Sequence, residues 1–477
     1  MTIEFVAVLI LSIFFIFIGW RERYLDKIED ANKDKSVPVN FPRLREIVTS
    51  LFVVIGAGEY SFAVFSITEY GFIGPTFLLG LGVSLLLIGK YSPRIFDLIK
   101  SNESLSTIAD GYTNFTTPDM FYAKHGKYNS ALATLILVLA FTGLLILQHV
   151  LGGELLSIVT GMSYDFCVIF MGIVVCLYVV LGGFKALFHT DVYQGIFMWL
   201  ALLILTIYIF FVHPQEVDYT IAVNDLLART NNSIKNLSSD QFPIIFFLLT
   251  IIAAFGGPDL WQRVNMSSNA NSAKKGAYFA ALIMVLFCLP MFVIAIDITA
   301  LKVSLEDDAL INYVKQVNNS EGINWSLPIK AIFSLGLVAA FISTGDTAAM
   351  LISTSIQNEL RRWNFIIQNS NDRNLSHKTT NILVAIFSLI AIVLAIKTPS
   401  IAEYFMKVLG ILAVLGIPVY QILIKRGNKY SVGFGLLSGI LIFLIQTYFL
   451  SESYSTGWWV FAPLLPTLPS FFIKAID

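Results

Sequence analysis

The sequence has few charged residues: Asp, Glu, Lys and Arg together account for 13% of its 477 residues. Soluble domains carry about 25%. Hydrophobic residues account for 56% of the chain, and they are grouped in repeated runs that are long enough to cross a bilayer. This combination excludes an ordinary soluble domain and predicts an integral membrane protein.

Cysteine, histidine and net charge are also scarce. The 3 cysteines lie inside apolar runs, where they are expected to pack as small hydrophobic residues. The 5 histidines show no metal-ligand spacing, and no nucleophile elbow, phosphate loop or paired acid–base motif is present, so neither an enzyme nor a transition-metal site is expected. A formal net charge of -1 gives no indication of a nucleic-acid partner.

The apolar runs predict an all-α membrane protein with thirteen transmembrane helices, because each run is about twice as long as a barrel strand and does not alternate. The first run lacks the basic region and cleavage site of a signal peptide, so it is expected to be retained as a span. The predicted spans are 3–20, 46–70, 73–96, 129–153, 164–181, 190–212, 242–257, 275–300, 326–356, 379–397, 401–424, 431–450 and 457–473.

Lysine and arginine are distributed unequally between the two sides that these spans define. When the connections between spans are assigned alternately to the two sides of the membrane, 24 of the 31 basic residues fall on one side and 6 on the other. The positive-inside rule then predicts an amino terminus outside the cell and a carboxyl terminus in the cytoplasm.

Polar residues inside the spans are costly in lipid and mark candidate sites. In the second span, Gly56, Ala57 and Gly58 precede Glu59. This run is able to interrupt the helix and free backbone carbonyls for an ion or a substrate. Close helix packing through small residues is the alternative explanation for the glycines alone.

The ninth span, "SLGLVAAFISTGDTAAMLISTSI", carries hydroxyl groups at helical spacing. Ala340, Ser343, Thr344 and Thr347 lie on one face, and Asp346 follows Ser343 by three residues. Hydroxyls and a carboxylate on one stripe suit a hard cation, which prefers oxygen ligands. Hydrogen bonds from these hydroxyls to their own helix backbone are the alternative. The intramembrane aspartate favours a cation or proton site.

Two further stretches carry polar residues beside glycines. In "LGGFKALFHTDVYQG", the Gly182–Gly183 pair ends one helix and Asp191 begins the next span, where a carboxylate also serves as a helix cap. In "AAFGGPDLWQRVNMSSNANSAKKG", Gly256, Gly257 and Pro258 stop a helix. The polar connection that follows is compatible with an ordinary loop or with a moving gate.

Taken together, these stretches resemble the sodium/solute symporter family. The phrases that carry the resemblance are "LGGFKALFHTDVYQG", "FGGPDLWQRV", "AAFISTGDTAAMLISTS", "GLLILQHVLGGELLSIVTGMSYD" and "TPDMFYAKHGK", which occur in the family's order between about Ile3 and Leu450. The resemblance implies an inverted-repeat fold like that of the bacterial leucine transporter. A leading helix and loop would occupy 1–45, two five-helix repeats 46–212 and 240–424, and two trailing helices 425–477, with spans two and seven broken.

The resemblance also implies the ligands of the coupling ion. Sodium would be held by the backbone carbonyls of Val53 and Gly56 in span two and by the carbonyl of Ala340 and the hydroxyls of Ser343 and Thr344 in span nine. A second cation or proton site, nearer the cytoplasm, would use Asp191, Asp346 and Thr347 together with Ser343. Two residues depart from this pattern. Ile55 stands where several relatives have a polar residue near the solute, which puts a sugar-like solute in doubt. Asp346 stands where some relatives have a serine or a smaller residue, so two carboxylates would share one site.

The solute is expected beside the broken second span, which makes Glu59, Tyr60 and Ser61 candidate substrate-binding residues. Glu59 favours a cationic or amine-bearing solute. The function that the resemblance implies is sodium-coupled symport of a small organic solute by alternating access in a bacterial inner membrane. A proton-coupled symporter, a solute sensor with a transporter fold and a channel are the alternatives.

Overall fold

The computed structural model is helical, and no strand occurs among the residues that it describes. Those residues are 3–31, 57–100, 115–211, 219–236, 241–267, 269–305, 309–319, 327–365, 373–397, 402–449 and 458–473. Val53, Ile55 and Gly56 therefore lie outside the described residues, and only the part of the second predicted span from Ala57 onwards is described.

Within these ranges there are fifteen α-helices, numbered in chain order, and two 3-10 helices, Gly71–Ile73 and Trp458–Phe472. The α-helices are α1 (Ile3–Ala31), α2 (Ala57–Tyr70), α3 (Thr76–Lys100), α4 (Thr117–His125), α5 (Lys127–Thr160), α6 (Tyr164–Phe211), α7 (Tyr219–Lys235), α8 (Phe242–Gly256), α9 (Pro258–Asn265), α10 (Ala270–Ala300), α11 (Ala309–Asn319), α12 (Leu327–Arg362), α13 (Arg373–Ala395), α14 (Ala402–Leu423) and α15 (Lys429–Phe449).

The apolar helices confirm an integral membrane protein. Within the described ranges, nine helices are long and apolar enough to cross a membrane, or ten when the bent pair α8–α9 is taken as one span. The predicted number of thirteen is therefore not confirmed. The predicted span 401–424 is represented by a shorter apolar segment, Lys407–Leu423.

The last predicted span is a 3-10 helix and not an α-helix. It contains Pro463, Pro466 and Pro469. Proline has no backbone N–H to donate, so each proline removes a bond from the α-helical ladder. A spacing of three residues places the prolines on one face of a 3-10 helix, which has three residues per turn.

The predicted break in "LGGFKALFHTDVYQG" is present at Gly183. Its backbone has φ 58° and ψ −159°, and it separates two helical stretches of α6. A side chain at this φ would be strained. The second stretch is a candidate span over His189–Phe211, so Asp191 lies in its first turn, as predicted.

The polar connection after Gly257 is a buried helix, α9, and α8 and α9 meet at an angle of 45°. Gly256 lies so close to α14 that a Cβ atom there would be 2.5 Å from the backbone nitrogen of Gly416. The indole of Trp261 is fully buried, and it donates a hydrogen bond of 2.6 Å to the carbonyl of Phe255. The glycines therefore allow the bend, and Trp261 fixes α9 against the end of α8.

Helix α12 is the most enclosed of the candidate spans, with 94% of its apolar window buried inside the protein. It packs against α5 and α6, and also against α1 and α13. Since its polar side chains face other helices rather than lipid, α12 is the element on which a site inside the membrane is most readily built.

Candidate functional site

Three helices bring polar side chains together at the middle of α12. Asp191 comes from the start of the second stretch of α6, Arg263 from α9, and Asp346 from α12. Asp191 and Asp346 are 1% and 0% exposed, and Arg263 is 2% exposed. We call these three residues the cavity cluster, because the cavity described below adjoins them.

Ser343, Thr344 and Thr347 form one face of α12, which we call the hydroxyl face. Only some of these hydroxyl groups bond to the backbone of the helix. Ser343 Oγ donates to the carbonyl of Ala340 at 2.8 Å, and Thr347 Oγ1 lies 3.0 Å from the carbonyl of Ser343. These contacts are the hydrogen bonds to the helix backbone that the sequence also allowed. Thr344 Oγ1, in contrast, is buried with no hydrogen-bond partner in the described part of the chain. Oxygen atoms of this face are thus still available to a cation.

Arg263 links the two predicted carboxylates. Its Nη2 lies 3.5 Å from Asp191 Oδ2 and donates a hydrogen bond of 2.8 Å to Thr347 Oγ1. Thr347 Oγ1 in turn lies 3.1 Å from Asp346 Oδ1. From its sequence position, Arg263 is expected only as a basic residue of the cytoplasmic side. The sequence gives no signal for this role, because only the structure shows that α9 is buried, where an arginine needs an anionic partner.

Two buried glutamines were also missed: Gln194, which contacts Asp346, and Gln262, which precedes Arg263 in the sequence. Gln194 Nε2 lies 3.4 Å from Asp346 Oδ2. Gln194 Oε1 and both side-chain polar atoms of Gln262 are buried and have no hydrogen-bond partner within the described ranges. Helical spacing could have identified Gln194, since it follows Asp191 by three residues on the same face of α6.

A cavity with an empty volume of about 680 Å³ adjoins the cavity cluster. Ser343, Thr344 and Thr347 line it on the α12 side, and Arg263 lines it on the α9 side. Its other walls are largely apolar and include Phe77, Phe141, Leu144, Phe405, Val408, Leu409 and Leu412. An apolar cavity with a few convergent polar groups is the usual form of a small-molecule site.

The three substrate candidates are not brought together. Glu59 lines this cavity. Tyr60 lines a second, apolar cavity of about 360 Å³ and packs against Phe287 with ring centroids 5.0 Å apart. Ser61 is buried but lines neither cavity as far as the described residues show. Consecutive residues of a helix point about 100° apart, so Glu59 and Tyr60 face different neighbours.

The second buried charge cluster lies at the carboxyl end of α12. Arg362 forms ion pairs with Asp119 of α4 and with Glu359 of its own helix. Asp119 also completes a capping box with Thr116 at the start of α4, and Asn358 Nδ2 lies 3.3 Å from its Oδ2. We call Asp119, Glu359 and Arg362 the end cluster. It joins α4, which lies in the phrase "TPDMFYAKHGK", to α12.

Comparisons with known proteins agree with this architecture. A model of the sodium:solute symporter family matches residues 61–442. A sodium/pantothenate symporter of Escherichia coli (strain K12) is 24% identical over 223 residues, which are 46% of this chain and 46% of that protein. The high affinity choline transporter 1 of Homo sapiens is 23% identical over 303 residues, 61% of this chain and 51% of that protein. The chain thus spans about half the length of the curated relatives it matches.

A solved structure shares the fold over its whole length. It is a substrate-bound, outward-open Na+-coupled sialic acid symporter, with a TM-score of 0.72 and 15% sequence identity. The match covers 100% of this chain and 97% of that one.

Proposed function

Because this chain belongs to the sodium:solute symporter family, we propose that it is a sodium-coupled symporter that imports a small organic solute by alternating access. The observation that carries the proposal is the hydroxyl face of α12, where Ser343, Thr344 and Thr347 line a cavity inside a helical membrane protein. Sodium is a hard cation that prefers such oxygen ligands. Sodium moving inward down its gradient would supply the energy, since one charge crossing 100 mV is worth about 2.3 kcal/mol.

The first sodium site is proposed at the carbonyl of Ala340 and the hydroxyls of Ser343 and Thr344, with the carbonyls of Val53 and Gly56 as its remaining ligands. The last two residues lie outside the described part of the chain. Thr344 Oγ1 supports the site, because a buried hydroxyl without a partner costs free energy that a bound cation would recover. Sodium would then tie α12 to the second predicted span and complete the solute site.

The second cation or proton site is proposed at Asp191, Asp346 and Thr347. When ionised, the two carboxylates and Arg263 carry a net charge of about −1, so one further positive charge would neutralise the cavity cluster. The contact of Arg263 with Thr347 implies that a cation entering this site displaces or shifts the guanidinium. A proton on Asp346 would neutralise the cluster equally well, which is the observation that favours proton-coupled symport as the second candidate function.

The proposed solute is cationic or amine-bearing. Glu59 supports this class because its carboxylate lines a cavity whose walls include the aromatic rings of Phe77, Phe141 and Phe405. Aromatic faces and a carboxylate both attract organic cations. Tyr60 and Ser61 are also proposed as solute residues, although neither lines this cavity among the described residues.

The proposed organisation follows the inverted repeat, with repeats at 46–212 and 240–424 between the leading segment 1–45 and the trailing helices in 425–477. The bend between α8 and α9 supports a broken helix at the start of the second repeat. The distribution of basic residues supports an amino terminus outside and a carboxyl terminus inside a bacterial inner membrane.

The test compares thermal stability of the purified protein in NaCl and in KCl at equal ionic strength. Wild-type protein is expected to be more stable in NaCl, because an ion that binds only the folded state raises the melting temperature. The double substitution Ser343→Ala and Thr344→Ala is expected to abolish the difference between the two salts.

The matched control is Ser353→Ala with Thr354→Ala on the same helix. Both hydroxyls are buried and bonded to the backbone of α12, and neither lines the cavity. The control is expected to retain the sodium effect. A sodium effect that persists in the Ser343 and Thr344 variant would overturn the site, and stabilisation by acid pH without any sodium effect would favour proton coupling.

Accumulation of solute distinguishes a symporter from a channel and from a solute sensor. In proteoliposomes, a symporter concentrates its solute against a gradient when sodium is high outside. A channel would only equilibrate the solute, and a sensor would bind it without accumulation.

A further inference from the structure

Gln148 of α5 is a buried side chain that contacts Glu59 and that the proposed function leaves unused. Its Nε2 lies 3.3 Å from Glu59 Oε2, and the residue is 2% exposed. Phe141 and Leu144 line the cavity, and Gln148 follows them on the same face of α5, seven and four residues further along. Among the described residues Gln148 does not itself line this cavity, but its Nε2 contacts Glu59, which does.

The contact with Glu59 fixes which way the amide of Gln148 points. An ionised carboxylate only accepts hydrogen bonds, so the amide nitrogen must face Glu59 and the carbonyl oxygen must point elsewhere. This oxygen, Oε1, is buried and has no hydrogen-bond partner among the residues that the structure describes. A buried acceptor of this kind is costly unless a donor reaches it.

We propose that Gln148 is a specificity-determining residue that selects solutes whose cationic head carries N–H groups. The inference rests on the proposed function, in which Glu59 attracts the charge of the solute. Glu59 alone would accept any organic cation, including a quaternary ammonium. The carbonyl oxygen of Gln148 adds a second acceptor beside it, and only a primary, secondary or tertiary ammonium has a proton to donate to this oxygen.

The expected selectivity comes from the hydrogen bond between a solute N–H group and Gln148 Oε1, which a quaternary ammonium cannot form. A head group without N–H leaves Gln148 Oε1 buried and unsatisfied, whereas a donor restores the bond. A hydrogen bond to a charged group is worth about 1.5–3 kcal/mol, which corresponds to a preference of roughly tenfold or more. A site discriminates more strongly against a solute that lacks a hydrogen-bond donor than against one that lacks a methyl group. Without the donor, a buried polar group of the protein is left without a partner.

The test uses four butylammonium ions that differ only in having zero, one, two or three N-methyl groups. All four are cations at neutral pH, so charge is held constant while the number of N–H donors falls from three to none. Their dissociation constants are obtained from the concentration dependence of thermal stabilisation in NaCl. Wild-type protein is expected to bind the ion with no N-methyl group at least about tenfold more tightly than the trimethylated ion.

Gln148→Leu removes both polar groups at similar volume and is expected to reduce this ratio to about one by weakening the binding of the N–H-bearing ions. Gln148→Met is the second variant, in case leucine packs poorly. The matched control is Gln421→Leu, since Gln421 is also a buried glutamine that donates through Nε2, but to the carbonyl of Thr467 and not to a residue that lines the cavity. Retention of the NaCl-over-KCl shift identifies variants that are folded.

Three outcomes overturn the inference. A wild-type protein with no preference within the series would leave Gln148 with a structural role. An unchanged ratio in both Gln148 variants would assign the preference to another group. Wild-type protein that binds none of the four ions would reject the amine class itself. Failure of the proposed function is distinguishable, because Glu59→Gln would then leave binding unchanged or sodium would have no effect on any variant.

Discussion

Helix α12 contributes to two buried clusters, each defined here by two carboxylates and one guanidinium. In the end cluster, Arg362 binds Asp119 and Glu359 directly. In the cavity cluster, Arg263 reaches Asp191 at 3.5 Å, but its link to Asp346 runs through Thr347. Among the described residues, no member of the end cluster lines the 680 Å³ cavity, whereas Arg263 of the cavity cluster does, together with Thr347, which links it to Asp346.

This difference shows that the charges in a buried cluster do not by themselves decide whether the cluster joins helices or binds an ion. The guanidinium of Arg362 also lies 4.6 Å over the ring of Tyr122, so its position is held by several contacts. A cluster whose charges pair directly suits a fixed joint between helices, and a cluster linked through a hydroxyl beside a cavity suits an exchangeable ion.

The largest expected effect is at the end cluster. Arg362→Met leaves Asp119 and Glu359 buried without their shared cation, which is expected to lower the free energy of unfolding by about 3–5 kcal/mol. The loss should be equal in NaCl and KCl, because the end cluster has no part in ion binding. Thermal unfolding in the two salts measures both quantities. Arg361→Met, at the neighbouring position, is the control, and a comparable loss in Arg361→Met would remove the special role of Arg362.

A smaller effect is expected from His125 at the end of α4, the helix that carries Asp119 of the end cluster. Burial, with a lesser contribution from the charge of Lys124, lowers the pKa of His125 from 6.5 to about 4. Between these two pH values the unfolded chain binds a proton that the folded protein excludes. Stability contributed by the neutral imidazole is therefore full above pH 6.5 and is lost as the pH falls toward 4, by up to about 3 kcal/mol.

Thermal unfolding as a function of pH tests this prediction. His125→Gln is expected to flatten the pH dependence between 6.5 and 4. His189→Gln, which changes a histidine whose side chain is 45% exposed, is expected to leave most of it in place. A profile that is identical in His125→Gln and wild-type protein would contradict the assignment.

The smallest net effect in NaCl is expected at the cavity cluster and should depend on the salt. Loss of the buried Arg263–Asp191 ion pair is expected to destabilise the protein in KCl, whereas in NaCl a bound sodium ion offsets the loss. Arg263→Gln removes the positive charge that faces Asp191, so sodium is expected to bind more tightly. The sodium concentration for half-maximal thermal stabilisation should fall by roughly tenfold, an electrostatic gain of about 1.4 kcal/mol. An equal loss of stability in NaCl and KCl, as expected for Arg362→Met, would show that the two clusters have the same structural role.

The parts of this site that depend on local spacing were predictable from the sequence. The face formed by Ala340, Ser343, Thr344 and Thr347 follows from helical periodicity, and the break at Gly183 follows from a glycine pair between two apolar runs. Both predictions use only residues within a few turns of one another.

The parts that depend on packing between distant segments were not predictable. Arg263 follows a Gly-Gly-Pro stop and has the composition of a cytoplasmic connection, yet α9 turns by 45° and buries it against Asp191. Tyr60 adjoins Glu59 in sequence but faces a different cavity. The 3-10 helix at Trp458–Phe472 has the hydropathy of a span, but its prolines decide its conformation.

Equilibrium binding of radioactive sodium to purified protein, with potassium as the background salt, probes the hydroxyl face of α12 without any need to know the solute. Saturable binding is expected for wild-type protein and for the control variant Ser353→Ala with Thr354→Ala. In Ser343→Ala with Thr344→Ala, binding is expected to be lost or weakened by at least about tenfold. Equal sodium binding by all three proteins, or none by the wild type, would contradict the claim that the hydroxyl face of α12 holds the coupling ion.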